Sequence, residues 1–92
     1  MDYGFSFLSF TEIADDVAYA EEKGFTHAWL YDSQMICGDP YQCLALCGDK
    51  TKKIKLGTNV TNPKSRIAPV TANSFATLNV IAPGRVIMGI GT

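Results

Sequence analysis

Ile54-Lys55-Leu56-Gly57-Thr58-Asn59-Val60, with the segment that follows it to Ile90, is the stretch on which the fold turns. The seven residues read as a strand that ends in polar side chains. Pro63 and Arg66 sit in the loop after it. Pro69 then opens a helix, with Val70, Ala72, Phe75, Ala76, Leu78 and Val80 at helical spacing. Pro83-Gly84 marks a turn. Arg85-Val86-Ile87-Met88-Gly89-Ile90 is a further strand, nearly continuous in apolar residues, the pattern of a strand buried on both faces. Strand, helix and strand joined by short loops make a βαβ unit, which implies a parallel pair with a right-handed crossover.

The same alternation extends back to the N-terminus. Asp39-Pro40 predicts an N-cap with proline in the first helical turn, and Tyr41, Leu44, Ala45 and Cys47 supply the buried stripe of that helix. Thr26-His27-Ala28-Trp29-Leu30-Tyr31 is β-rich and ends at Asp32-Ser33, with Trp29 and Tyr31 expected as core residues of the strand. Thr11 to Lys23 carries Ile13, Ala14, Val17, Ala18 and Ala20 on one face, stops at Gly24, and is preceded by Ser9 and Glu12 in a capping-box spacing. Phe5-Ser6-Phe7-Leu8 is the first strand. The order βαβαβαβ repeats about every 25 to 30 residues, as one βα unit of a barrel does. Residues 1–92 read as a single partial domain, the N-terminal half of an α/β barrel. Four strands leave open edges, so we expect a fragment, or a half-barrel that pairs with another copy or chain.

Composition narrows the function classes. The chain is 47% hydrophobic and 18% charged, which suits a folded chain and not a disordered one. A net charge of −1 gives no electrostatic case for nucleic acid or an anionic membrane. No apolar run approaches the roughly 18 residues that span a bilayer, and Met1-Asp2-Tyr3-Gly4 lacks the positive charge of a secretory signal, so the expectation is a cytoplasmic protein. The three cysteines, Cys37, Cys43 and Cys47, read as structural thiols and not as a disulfide framework or metal site.

In α/β barrels and sheets, function gathers at the C-terminal ends of the strands. Here those ends are Leu8-Ser9, Asp32-Ser33, Asn59-Val60-Thr61 and Gly91-Thr92. Asp32 is the candidate catalytic residue: a carboxylate at the lip of a strand can orient a substrate, act as a base, or contact a cofactor ring. An N-cap or loop hydrogen bond is the plain alternative. Gly89-Ile90-Gly91 can open a dinucleotide fingerprint, which keeps a doubly wound nucleotide-binding domain as a rival. His27 reads as structural.

The segments Ile54 to Pro63, Arg66, Val70-Thr71-Ala72, Ala76-Thr77-Leu78, Pro83-Gly84-Arg85 and Gly89-Ile90-Gly91, with Glu21 to Asp32, resemble the luciferase-like oxidoreductases. Within them the resemblance is nearest to the branch with the deazaflavin-dependent methylenetetrahydromethanopterin reductases. It implies a (β/α)₈ barrel, with FMN or the deazaflavin coenzyme F420 at the C-terminal rim and a small organic substrate. It also implies a non-proline cis peptide at Asn59–Val60 behind the cofactor ring, with Asn59, Val60 and Thr61 as the ring platform, Ser33 beside Asp32, and Gly91 leaving room for the cofactor. A homo-oligomer is expected. Ser33 stands where the family often has histidine, and Ile67-Ala68 where it often has His-Pro. Both departures weigh against a mechanism that uses a histidine base. The rival of another class is a non-catalytic half-barrel that self-associates.

Overall fold

The apolar runs pair in the order in which they occur. A computed structural model describes residues 1–92 as β1 (Gly4–Phe7), α1 (Ile13–Glu22), β2 (His27–Leu30), α2 (Pro40–Lys50), β3 (Lys55–Thr58), α3 (Ala68–Ile81) and β4 (Val86–Ile87). All neighbouring strands are parallel and the sheet order is β1-β2-β3-β4. A doubly wound sheet reverses its strand order and binds its nucleotide at the reversal. No reversal occurs here. Ile90, between the two glycines, continues the β3–β4 ladder through a bridge to Thr61. The nucleotide-fingerprint rival therefore falls, and the sequential winding of a barrel stands.

The register separates the sheet into two faces. Phe5, Ala28, Leu56 and Val86 stand side by side, as do Phe7, Leu30 and Thr58. This face meets the helices: Ala28, Leu30 and Leu56 are packed in one core with Ala14 and Val17 of α1, Leu44 and Cys47 of α2, and Phe75 and Leu78 of α3. The other face carries Ser6, Trp29, Gly57 and Ile87 in one row and Gly4, His27 and Lys55 in the next. Trp29 is thus only half-buried and faces away from the helices, and Tyr31 is exposed, so neither is the core residue its apolar strand suggested. Trp29 stacks on His27 with ring centroids 5.8 Å apart and lies across Gly57, where a Cβ would come 2.7 Å from its Cζ3.

Local signals held where backbone geometry decided them. Asp39 caps α2 by accepting from Gln42 N at 3.0 Å, with Pro40 in the first turn. Gly24 ends α1 at φ +94°, a conformation that favours glycine. Two expectations are corrected. The capping box is not formed: α1 is capped by Glu12 without a side-chain bond. Ser9 instead donates its hydroxyl to Tyr31 O at 2.5 Å and stitches the end of β1 to that of β2. The fourth strand is two residues long and half-buried rather than six and buried, because β4 forms one edge of the sheet. Cys43 and Cys47 are buried free thiols, and burial pushes Cys47 up to about 12. No helix is long and apolar enough to cross a membrane.

Candidate functional site

The ends of β2 and β3 bound a shallow cavity of about 210 Å³, lined by Tyr31, Asp32, Ser33, Asn59, Val60, Asn62, Gly91 and Thr92. Five of the six site residues predicted from sequence, Asp32, Ser33, Asn59, Val60 and Gly91, meet here. The sixth, Thr61, lies behind the wall and is fully buried. The peptide between Asn59 and Val60 is cis. Asn59 Nδ2 donates to Ser6 Oγ at 3.0 Å, which ties this segment to β1. Gly91 lies against Val60: a Cβ at position 91 would sit 3.0 Å from Val60 Cγ2. At Gly89 a Cβ would run into Thr58 O, so glycine is required for β4 to approach β3 this closely.

Asp32 is the centre of the electrostatics. Its side chain is fully buried, and both oxygens are occupied. Oδ2 accepts from Thr61 Oγ1 at 2.7 Å and from Arg66 Nη1 at 2.6 Å. Oδ1 accepts from Gln34 Nε2 at 2.6 Å and from Arg66 Nη2 at 3.2 Å. Burial alone would raise the pKa of this carboxyl, but the bonds from Arg66, Thr61 and Gln34 outweigh it and hold the group below the usual carboxylate range. A carboxylate has about four acceptor sites, and four donors fill them here. Asp32 is an anion with no lone pair to spare. Of the roles open to it from sequence, this geometry supports holding its neighbours in place.

Arg66 completes the group. Its Nη2 also donates to Asp39 at 3.0 Å, and its Cζ lies 4.5 Å from the centroid of the Tyr41 ring. Hydrogen bonds from Arg66 to Asp32 raise its pKa further, so it stays charged throughout. Sequence reasoning placed Arg66 in a loop, Asp39 at a helix cap and Tyr41 on a buried stripe, and assigned none of them to the site. Arg66 and Asp32 lie 34 residues apart, and no local spacing joins them. The ionic partner of a lone arginine in a strand-to-helix loop is legible only once β2 and β3 are known to be neighbours.

The Luciferase-like monooxygenase family profile matches residues 4–92. The chain belongs to this family. Among individual proteins it is 39% identical over 94 residues to 5,10-methylenetetrahydromethanopterin reductase of Methanolobus tindarius, covering 99% of this chain and 28% of that one. It is 41% identical to the F420-dependent hydroxymycolic acid dehydrogenase of Mycobacterium tuberculosis, over 79% of this chain and 22% of the relative. The solved structure of the coenzyme F420 dependent tetrahydromethanopterin reductase from Methanopyrus kandleri superposes with a TM-score of 0.91 at 36% identity, covering 98% of this chain and 26% of that one. The chain thus spans about a quarter of the length of these luciferase-like relatives. The α/β parallel sheet is the one found in these barrel proteins, and the family expected from the sequence is confirmed.

Proposed function

We propose that this chain supplies one wall of the cofactor site of a luciferase-like oxidoreductase that uses coenzyme F420, with FMN as the alternative, and acts on a small organic substrate. The cavity between the ends of β2 and β3 carries this reading, because it gathers Asp32, Ser33, Asn59, Val60 and Gly91 at the C-terminal rim of a parallel sheet. The F420-dependent relatives support the choice of deazaflavin.

The residues present suit such a group. A volume of about 210 Å³ is below the roughly 300 Å³ of a complete small-molecule pocket, so it receives an edge or face of a ring and not a whole coenzyme. Ser33, Asn59 and Asn62 offer neutral hydrogen-bonding groups there, and Val60 offers an apolar surface. When bound, F420 supplies hydride transfer, for which this rim need not provide a base. That agrees with Asp32 being fully hydrogen-bonded. Asp32, with Arg66, keeps the lip of β2 fixed against the end of β3. Ser33 and Asn62 would hydrogen-bond the ring edge, and Asn59 and Val60 would form the platform beneath it, backed by the buried Thr61.

The purified full-length enzyme titrated with F420 should show a saturable change in coenzyme fluorescence. Asp32→Asn should lower turnover of the full-length enzyme at least about tenfold, since a misplaced wall loses orientation. A full-length enzyme that takes up neither F420 nor FMN would remove the reading.

A second reading, assembly through the sheet, is favoured by one observation. No helix of this chain covers the face with Ser6, His27, Trp29 and Lys55, and Tyr3, Phe5 and Leu8 of the β1 region are exposed. Sedimentation showing a monomer at all concentrations would dismiss it.

A further inference from the structure

We infer that Tyr41, in the first turn of α2, is the positioning residue that seats Thr61 and thereby fixes the wall of the rim cavity formed by Val60 and Asn62.

The direction of the hydrogen bonds carries the point. Tyr41 Oη and Thr61 Oγ1 are 2.6 Å apart and buried, and Thr61 Oγ1 is 2.7 Å from Asp32 Oδ2. An ionised carboxylate only accepts, so the single hydroxyl proton of Thr61 goes to Asp32. Tyr41 must then be the donor to Thr61. The chain Tyr41 to Thr61 to Asp32 has one orientation and ends on an anion that Arg66 holds in place.

Tyr41 has little freedom to leave this geometry. Its ring and that of Phe75 of α3 meet in a T-shaped pair with centroids 5.4 Å apart, and the Arg66 guanidinium carbon lies 4.5 Å from the Tyr41 ring centroid. Its place in the chain is two residues after Asp39, which both caps α2 and accepts from Arg66. Thr61 is held from the other direction by the main chain of the β4 region: its N–H donates to Gly89 O at 2.8 Å, and Gly91 N–H donates to its carbonyl at 3.0 Å. Helix layer, β2 and β4 therefore converge on one threonine. The residues on either side of it, Val60 and Asn62, line the cavity. A tyrosine that never reaches the cavity sets where the wall stands.

This inference rests on the proposed site only for its ligand-binding arm. With F420 as probe, Tyr41→Phe, which keeps the ring and removes one hydroxyl, should weaken binding roughly fivefold, the worth of one buried hydrogen bond. Thr61→Val should weaken it at least as much, and Thr61→Ser, which keeps the hydroxyl, should bind within about twofold of the parent. The double variant Tyr41→Phe/Thr61→Val should lose little more than Thr61→Val alone, because both remove the same link. A role confined to overall stability would spare the affinity of folded protein and would not be rescued by serine. Tyr41→Phe binding as the parent does would overturn the inference. If the parent takes up no F420, the cofactor reading fails, and the inference is then decided by amide NMR shifts. Movement of the Val60, Thr61 and Asn62 signals in Tyr41→Phe would support it, and unmoved signals would refute it.

Discussion

The two ends of the sheet use the same chemical groups in opposite ways. At the N-terminal end, Glu21 and Arg85 both act on the backbone of the α2–β3 connection. The Glu21 carboxylate accepts from the main-chain N–H groups of Lys52, Lys53 and Ile54. The Arg85 guanidinium donates to the carbonyls of Gly48, Thr51 and Ile54 and to the Thr51 hydroxyl. One loop is thus held through its donors by an anion and through its acceptors by a cation. At the C-terminal end, Asp32 and Arg66 act on each other, on Asp39, and on the side chains of Thr61 and Gln34. Charges spent on backbone fasten a loop whatever its side chains are. Charges spent on one another make a fixed electrostatic object at a rim, which is what a site needs. The comparison teaches that the same kinds of ion fasten a loop at one end of the strands and build a fixed charged cluster at the other, the rim where barrels commonly carry their sites.

If that division is right, the ends should respond unequally to losing a charged partner. Arg66→Ala leaves Asp32 buried without its counter-ion, and the expected cost is about 3 kcal/mol, measured as a shift in urea unfolding at neutral pH. Removing the anion as well, in Arg66→Ala/Asp32→Asn, should recover part of that loss, because the penalty comes from the stranded charge. A single variant as stable as the parent would mean that the rim ions are not coupled.

Glu21→Ala should cost less, about 1.5 kcal/mol. Two of the three N–H groups it releases, those of Lys52 and Lys53, belong to exposed residues and can turn to water. Unlike Arg66→Ala, this change should leave coenzyme uptake at the rim unaltered. Equal loss of F420 affinity in the two variants would break the comparison, since it would make the two ends one cooperative unit.

How far the two ends could be read from sequence differs for the same reason. The βαβαβαβ alternation, the Asp39-Pro40 cap and the Gly24 stop follow from short-range rules about φ, ψ and periodicity. The cluster of Asp32, Ser33, Asn59, Val60 and Gly91 followed from strand ends being neighbours on a rim. Ser9 was misread because a capping box and a link to the next strand place the same side-chain oxygen in demand, and tertiary contact to Tyr31 O won. Arg66, Tyr41, Glu21 and Arg85 act over 20 residues or more, on partners that only packing supplies. Trp29 was misplaced because strand alternation gives two faces without saying which one the helices cover.

Acid should produce the smallest effect and a shared one. Glu21 resembles Asp32: burial would raise its pKa, but bonds from the backbone at Lys53, Ile54 and Lys52 outweigh that and hold it below its ordinary value. Both carboxyls therefore bind protons more readily in the unfolded chain than in the folded one. Their contribution is present in full above about pH 4.3, where the unfolded groups are ionised, and is lost as pH falls through their depressed folded values. Unfolding free energy should be flat from pH 7 to about pH 5 on this account and decline below about pH 4. Asp32→Asn and Glu21→Gln should each flatten that decline. Because Glu21 is partly exposed and screened by solvent while the Asp32 side chain is enclosed, the flattening should be greater for Asp32→Asn and less sensitive to added salt. The reverse order would make Glu21 the more strongly coupled anion and invert the contrast between the two ends.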